Sequence, residues 1–341
     1  MSTNLSDHHS GSGRRWIPPF LTPEGLSSLA RAAVSSRVFG VVIGLIATFV
    51  FFTAVEPRFL TVSNILEMAV QSSIIALMAL GMTLVIVTGG IDLSVGAMLG
   101  LISVILATNL ETWGTGPTIL IGLLLGAFLG YLNGSFAAFF RLETFVVTLA
   151  TLNIYRGLAF LYTEGRPIFG LDQGFRDLLG APLFEIPRPV IIMVVATALA
   201  FIILNRSRLG VHLKAIGTNA DAARKAGVAV RKTSIMAFVL SGIFTGGAAL
   251  LLLSRIGAAE PISGTGYELT VIAAVVVGGT SLQGGRASIV GTLLGAFLLG
   301  AIRTGLTLMN VEPFTQLVVT GVIILVAVVI DRLTSRTQET R

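Results

Sequence analysis

The stretch PTILIGLLLGAFLGYLNGSFAAFF, residues 117–140, carries no charged side chain in 24 residues and places glycine at 122, 126, 130 and 134. A helix rises about 1.5 Å per residue, so this segment reaches about 36 Å, enough to cross about 30 Å of hydrocarbon. Lipid tails are as apolar as leucine, and helices in a bilayer are therefore held by close backbone approach at small residues. The four-residue spacing puts Gly122, Gly126, Gly130 and Gly134 in one slowly drifting stripe, the surface on which a second helix can pack. Gly96 with Gly100, Gly242 with Gly246, and Gly291 with Gly295 repeat the spacing elsewhere.

The rest of the chain has the same character. Of 341 residues, 54% are hydrophobic and 12% charged, against about 25% charged in a soluble domain. Water is not the main solvent. Ten apolar segments lie near 38–55, 66–88, 93–110, 117–140, 144–163, 188–205, 235–254, 267–280, 287–305 and 313–330. None shows the strict alternation of a membrane β-strand, so the expected fold is all-α, a polytopic membrane protein of about ten transmembrane helices. The eighth segment is short and ends in GGTSLQGG (278–285), which reads as a helix broken inside the protein, where other protein can cover its exposed backbone.

An internal repeat is expected as well. LLGAFL occurs at 124–129 and at 293–298, an offset of 169, and the same offset carries Glu143 onto Glu312, Phe145 onto Phe314 and Thr151 onto Thr320. With ten spans the two copies run in opposite directions, so the repeat is inverted, an arrangement found in transporters with a central pathway.

The basic residues orient the chain. With the N-terminus inside, Arg14, Arg15, Arg31, Arg37, Arg141, the seven bases between Arg206 and Lys232, Arg286, Arg332, Arg336 and Arg341 face the cytoplasm, sixteen in all, and six lie outside. That satisfies the positive-inside rule, with both termini cytoplasmic. The net charge of +6 is then explained by orientation and by contact with anionic membrane lipid, and no nucleic-acid partner is expected. Residues 1–37 read as a polar tail with an amphipathic approach, 38–331 as the membrane domain and 332–341 as a second tail.

Little catalytic chemistry is available. The chain has no cysteine and three histidines, His8, His9 and His212, which argues against thiolate and histidine-built metal sites and against Cys- or His-based triads. No GxxxxGK[ST] phosphate loop occurs around Lys214, Lys225 or Lys232, so no ATP hydrolysis, no cofactor and no resident metal are expected, and the chain is read as a non-enzyme. Among polar residues on or beside the spans, Gln71, Asp92, Asn133, Asn153 and Glu268 are candidates for a weakly hydrogen-bonding conduit. Each also has a structural reading: Asp92 as a helix N-cap, Glu268 as an interfacial carboxylate, the amides as helix–helix bonds. Arg156 falls inside a span and is expected to snorkel outward or to pair with a carboxylate.

The loop 206–234 holds seven basic residues. Asn219 can cap a short helix from about Ala220 to Lys225, ended by Gly227, with Ala222, Ala223 and Ala226 forming a small face beside Arg224 and Lys225. Such a face suits a groove on a partner protein; a solvated connector is the other reading.

Four segments carry a resemblance: ALGMTLVIVTGGIDLSVGAMLGL (79–101), GYLNGSFAAFFRLETFVVTLATLNIYRGLAF (130–160), SRLGVHLKAIGTNADAARKAGVAV (207–230) and GTGYELTVIAAVVVGGTSLQGGRASIVGTLLGA (264–296). The chain resembles the transmembrane permease of bacterial ATP-binding-cassette sugar importers of the ribose type, across about residues 38–331. It departs from the family pattern at Thr144, where proline is usual. The resemblance implies a second permease chain, a cytoplasmic ATPase, an external sugar-binding protein and a place in the bacterial inner membrane. It also implies that the segment 214–228 is the helix that couples to the ATPase, with Gly217, Asn219, Ala222, Ala223 and Gly227 matching the family there. An ion-coupled secondary carrier is the alternative reading.

Overall fold

The computed structural model describes residues 37–339, so the expectations for the N-terminal tail, with Arg14, Arg15 and Arg31, lie outside the described residues. Each apolar segment falls on a helix. These are α1 (Arg37–Val55), α2 (Val62–Ile86), α3 (Val95–Trp113), α4 (Thr115–Phe140), α5 (Thr144–Thr163), α7 (Arg188–Arg206), α10 (Val230–Ile256), α11 (Tyr267–Val277), α12 (Ile289–Leu308) and α13 (Pro313–Glu339). Between them lie the shorter α6 (Gln173–Gly180), α8 (Arg208–Thr218) and α9 (Ala220–Lys225). The chain is a multi-pass, all-α membrane protein. Among the described residues seven helices, α2, α3, α4, α5, α7, α10 and α12, are long and apolar enough to cross a bilayer, whereas the apolar parts of α1, α11 and α13 are shorter. At 11 residues, α11 spans only about 16 Å.

Most of α2, α3 and α10 is buried, whereas only about a third or less of α4, α5 and α7 is. The glycine stripe of α4 meets α10 in antiparallel register. A Cβ on Gly126 would collide with the Gly242 carbonyl, one on Gly130 with the Phe238 carbonyl, and one on Gly246 with the Gly122 carbonyl, while Gly134 lies on Ile235. The stripe thus carries a seam of close backbone approach repeated at four successive turns. A second antiparallel seam joins α11 to α12, with Gly291 against Gly278 and Gly295 against Ala274. In a third, α2 crosses α10 where Gly81 faces Ser241 and Gly247 faces Leu77. Thr83 and Thr292 share a buried hydrogen bond of 2.8 Å between α2 and α12. On the flank, Phe52 lies against Gly305 and stacks on Phe59, fixing α1 to α12.

The segment 164–187, which the sequence left without structure, is ordered. Strand β1 (Ile168–Phe169) pairs with β4 (Ala258–Ala259), and β2 (Pro182–Leu183) pairs with β3 (Ile186–Pro187). Helix α6 starts at Asp172, whose carboxylate accepts from Phe175 N at 2.9 Å. These elements frame a cavity of about 500 Å³ whose lining includes Glu67, Arg176, Asp177, Glu185, Ser254 and Arg255, with Glu67 and Arg255 paired at 2.6 Å.

Candidate functional site

At one end of the bundle the basic loop is a two-helix platform rather than a loop. Ser207 Oγ accepts from Gly210 N at 3.2 Å to start α8. Asn219 leaves the helical backbone at α8's end and its Oδ1 accepts from Ala222 N at 2.9 Å, starting α9 as the sequence suggested. Gly227 then turns the chain at a φ of +88°.

One expectation about the platform needs correction. The outward face of α9 consists of Asp221, Ala222, Arg224, Lys225 and Ala226, whereas Ala223 is only 5% exposed and faces inward. A helix of fewer than two turns gives too little periodicity to tell these alanines apart. Gly217 is half-buried on the side of the platform that meets the bundle. It is pressed between the Val87 carbonyl and Gly285 N, which are themselves joined by a 2.8 Å hydrogen bond. Gly284 also lies on Gly217. The platform therefore touches the end of α2 and the 278–285 turn between α11 and α12 at Gly217, with Thr218 beside it against Gly285.

Two stretches of irregular backbone enter the bundle. The first, 87–94, is held by α5. Ile91 N donates to Thr144 Oγ1 and Leu93 N to Thr148 Oγ1, each at 3.0 Å. Thr144, the departure from the family's proline, thus supplies a hydrogen-bond acceptor that proline lacks. Asp92 is fully buried. Its Oδ1 accepts from Ser94 N at 3.0 Å and from Ser94 Oγ at 2.7 Å, an Asx turn one step before the helix, and Ser94 rather than Asp92 holds the cap position of α3. Ser94 Oγ accepts from Asn133 Nδ2 at 2.8 Å, and the Tyr155 hydroxyl donates to Asn133 Oδ1 at 2.9 Å. Tyr155→Phe keeps the ring and leaves Asn133 Oδ1 buried without its donor. The expected cost is about 1–3 kcal/mol, read as a lower melting temperature of the detergent-solubilised protein.

The second stretch, 260–266, leads from β4, just after α10, to α11. Gly264 lies on Gly96 and Ser263 on Gly100, so the segment descends along α3. Arg156 on α5 neither snorkels away nor forms a close ion pair. Its Nη1 donates to the carbonyls of Pro261 and Ser263, each at 2.7 Å. Glu268 Oε1 accepts from Gly266 N at 3.3 Å, and the Glu268 carboxylate covers Gly96.

The five conduit candidates are not brought to one place. Asp92 and Asn133 share the buried network, and Glu268 sits at the second break near Arg156. Asn153 is exposed on α5, its Nδ2 donating to Leu149 O at 3.0 Å, and Gln71 lines a small cavity with Tyr267, Thr270 and Arg303. Sequence reasoning missed that Arg156 holds a loop; the signal for it was a cation inside an otherwise uncharged span.

Tight glycine seams, two non-helical stretches inside an apolar bundle and a basic platform at its end define a multi-pass membrane protein. Residues 64–328 match the family model described as branched-chain amino acid transport system / permease component, and the chain belongs to that family. It is similar to the ribose import permease protein RbsC of Bacillus subtilis, 42% identical over 86% of this chain and 92% of that protein. The D-allose transport system permease protein AlsC of Escherichia coli is 35% identical over 84% and 88%, and the L-arabinose transport system permease protein AraH of the same organism 34% over 89% and 92%. No solved structure matches the chain.

Proposed function

We propose that this chain is the permease of an ATP-binding-cassette importer in the bacterial inner membrane, forming with a second permease chain the path for a monosaccharide. An external binding protein delivers the sugar and a separate cytoplasmic ATPase drives transport. The observation that carries this reading is the platform α8–α9, which lies outside the apolar bundle yet joins it at Gly217 beside both the end of α2 and the 278–285 turn. The names of the relatives, which specify ribose, allose and arabinose, support a monosaccharide.

In this reading there are ten spans with both termini inside, and the platform is the cytoplasmic contact for the ATPase. The inverted repeat is supported by packing. The offset of 169 carries the start of α5 at Thr144 onto Pro313 of α13, and Gly122 and Gly126 of α4 onto Gly291 and Gly295 of α12. It carries α2 almost exactly onto α10, and α4 packs on α10 while α12 packs on α2, the exchange that two related halves require. ATP binding would draw the two platforms together and open the path outward, and hydrolysis would reset it.

Ala222→Asp tests the platform. Ala222 is exposed, so the chain should still fold, while a buried carboxylate at the ATPase contact costs several kcal/mol, about tenfold in affinity for each 1.4 kcal/mol. Co-purification of the ATPase and sugar uptake should both fall at least about tenfold. Unchanged uptake would remove α9 from the contact, and uptake by the permease without any ATPase would favour an ion-coupled carrier.

A further inference from the structure

Irregular backbone at membrane depth survives only against protein or lining water. The segment 260–266, which follows β4, is irregular and one side of it is open, since Glu260, Ile262 and Thr265 are exposed. Arg156 is half-buried at the base of this opening, seven residues before the end of α5 at Thr163 and so about 10 Å inside it. Its Nη1 holds the carbonyls of Pro261 and Ser263, while Nε and Nη2 make no hydrogen bond among the described residues and remain available as donors. Glu268, also half-buried, lies within electrostatic reach of Arg156. One turn earlier on α5 Asn153 is exposed, as are the small residues Ala150 and Gly157 on the same side of the helix.

We infer that Arg156, Glu268 and Asn153, with the backbone of 260–266, form a transit subsite for a neutral polyhydroxylated solute. The guanidinium donates to hydroxyl oxygens, the carboxylate accepts hydroxyl protons, and the amide does both. Arg156 and Glu268 together carry no net charge, so the subsite offers no net attraction to a cation or an anion, while both groups can hydrogen-bond a neutral polyol. One face of the subsite is missing in a single chain and is completed by the second permease chain across the path. The inference rests on the transport reading and deepens it, because it identifies which of the polar residues touch the solute.

The chain has no cysteine, so one introduced thiol reports without background. Asn153→Cys and Gly157→Cys, the latter at a position with nothing within 4 Å of an added Cβ, are made in the full chain assembled with its ATPase and binding protein in vesicles. Leu124→Cys, on the exposed face of α4, is the lipid-facing reference. A charged methanethiosulfonate reagent should react at 153 and 157 at least about tenfold faster than at 124, because the thiolate forms in water and not in hydrocarbon. A weak, roughly millimolar site is saturated by about 0.1 M sugar, so D-ribose or D-allose at that level should slow labelling, while choline chloride and sodium gluconate should not.

Arg156→Gln should abolish the protection and keep the fast labelling, an outcome that a merely structural arginine would not give; Glu268→Gln supplies the same readout if the first variant does not assemble. Labelling at the rate of the reference position overturns the inference by placing this face against lipid. Fast labelling that sugar does not slow, or that the salts slow equally, overturns it as well, leaving a water path without recognition. Uptake by the unsubstituted complex tests the parent reading separately: absence of monosaccharide import there defeats the transport assignment whatever the labelling shows.

Discussion

Gly126→Leu is expected to remove the folded protein from the membrane. In lipid the seam between α4 and α10 has no hydrophobic driving force behind it and depends on contact along the two backbones. A Cβ at residue 126 would fall on the carbonyl of Gly242, and the neighbouring approaches at Gly122, Gly130 and Gly134 bind the same pair of helices at every turn. Neither helix can yield locally, because a shift that frees residue 126 opens the seam at the other three positions. Overpacking a core whose side chains can move costs about 1–3 kcal/mol. Here the obstacle is backbone, so the cost should exceed about 3 kcal/mol, a large part of a total stability of about 5–15 kcal/mol.

Gly116 on the same helix has nothing within 4 Å of an added Cβ, and Gly116→Leu should therefore be tolerated. Size-exclusion chromatography of the solubilised, fluorescently tagged chain separates the two: a sharp peak for the Gly116 variant, and loss or aggregation for the Gly126 variant. A well-folded Gly126→Leu protein with an unchanged melting temperature would mean that the seam is not the one that holds these helices.

The stripe itself was legible because a four-residue glycine period in an uncharged span has few other meanings. The pairing of Gly126 with Gly242 was not, since an antiparallel register is fixed by two distant segments at once, although the Gly242 and Gly246 pair was visible on its own. The break near 278–285 could be read from its glycines, and the cap at Asn219 from local chemistry. Harder were the contacts made by irregular backbone. Arg156 was legible as an anomaly, but its partners are main-chain carbonyls of Pro261 and Ser263, about which side-chain identity says nothing. Asp92 was read as a cap from its place before a helix. What burial adds is the chain from Ser94 through Asn133 to Tyr155, whose members come from three helices. The ordered elements in 164–187 escaped because their strands are two residues long and one turn uses Phe184 and Glu185 at positive φ, where glycine or asparagine would have been the signal.

Gly217→Val should uncouple ATP hydrolysis from transport while leaving the ATPase bound. The contact face of α9 points away from the bundle, so the substitution does not touch it. Inside, the new side chain would collide with the Val87 carbonyl and with Gly285 N, and a β-branched residue cannot turn both methyl groups out of the gap. The platform must then lift from the bundle or break the 2.8 Å hydrogen bond between Gly285 and Val87. Either way the place at which a movement of α9 reaches the end of α2 and the 278–285 turn is lost, and with it the differential free energy by which the ATPase biases the two states of the path. Each 1.4 kcal/mol of coupling lost is about tenfold. The ratio of sugar imported to ATP hydrolysed in proteoliposomes should thus fall at least about tenfold, with co-purification of the ATPase retained. Ala222→Asp gives the opposite pattern, losing co-purification and transport together. If Gly217→Val instead imports sugar at the original ratio, motion reaches the bundle by another contact, such as the packing of α8 on α7 and α10 or the connection from α9 into α10.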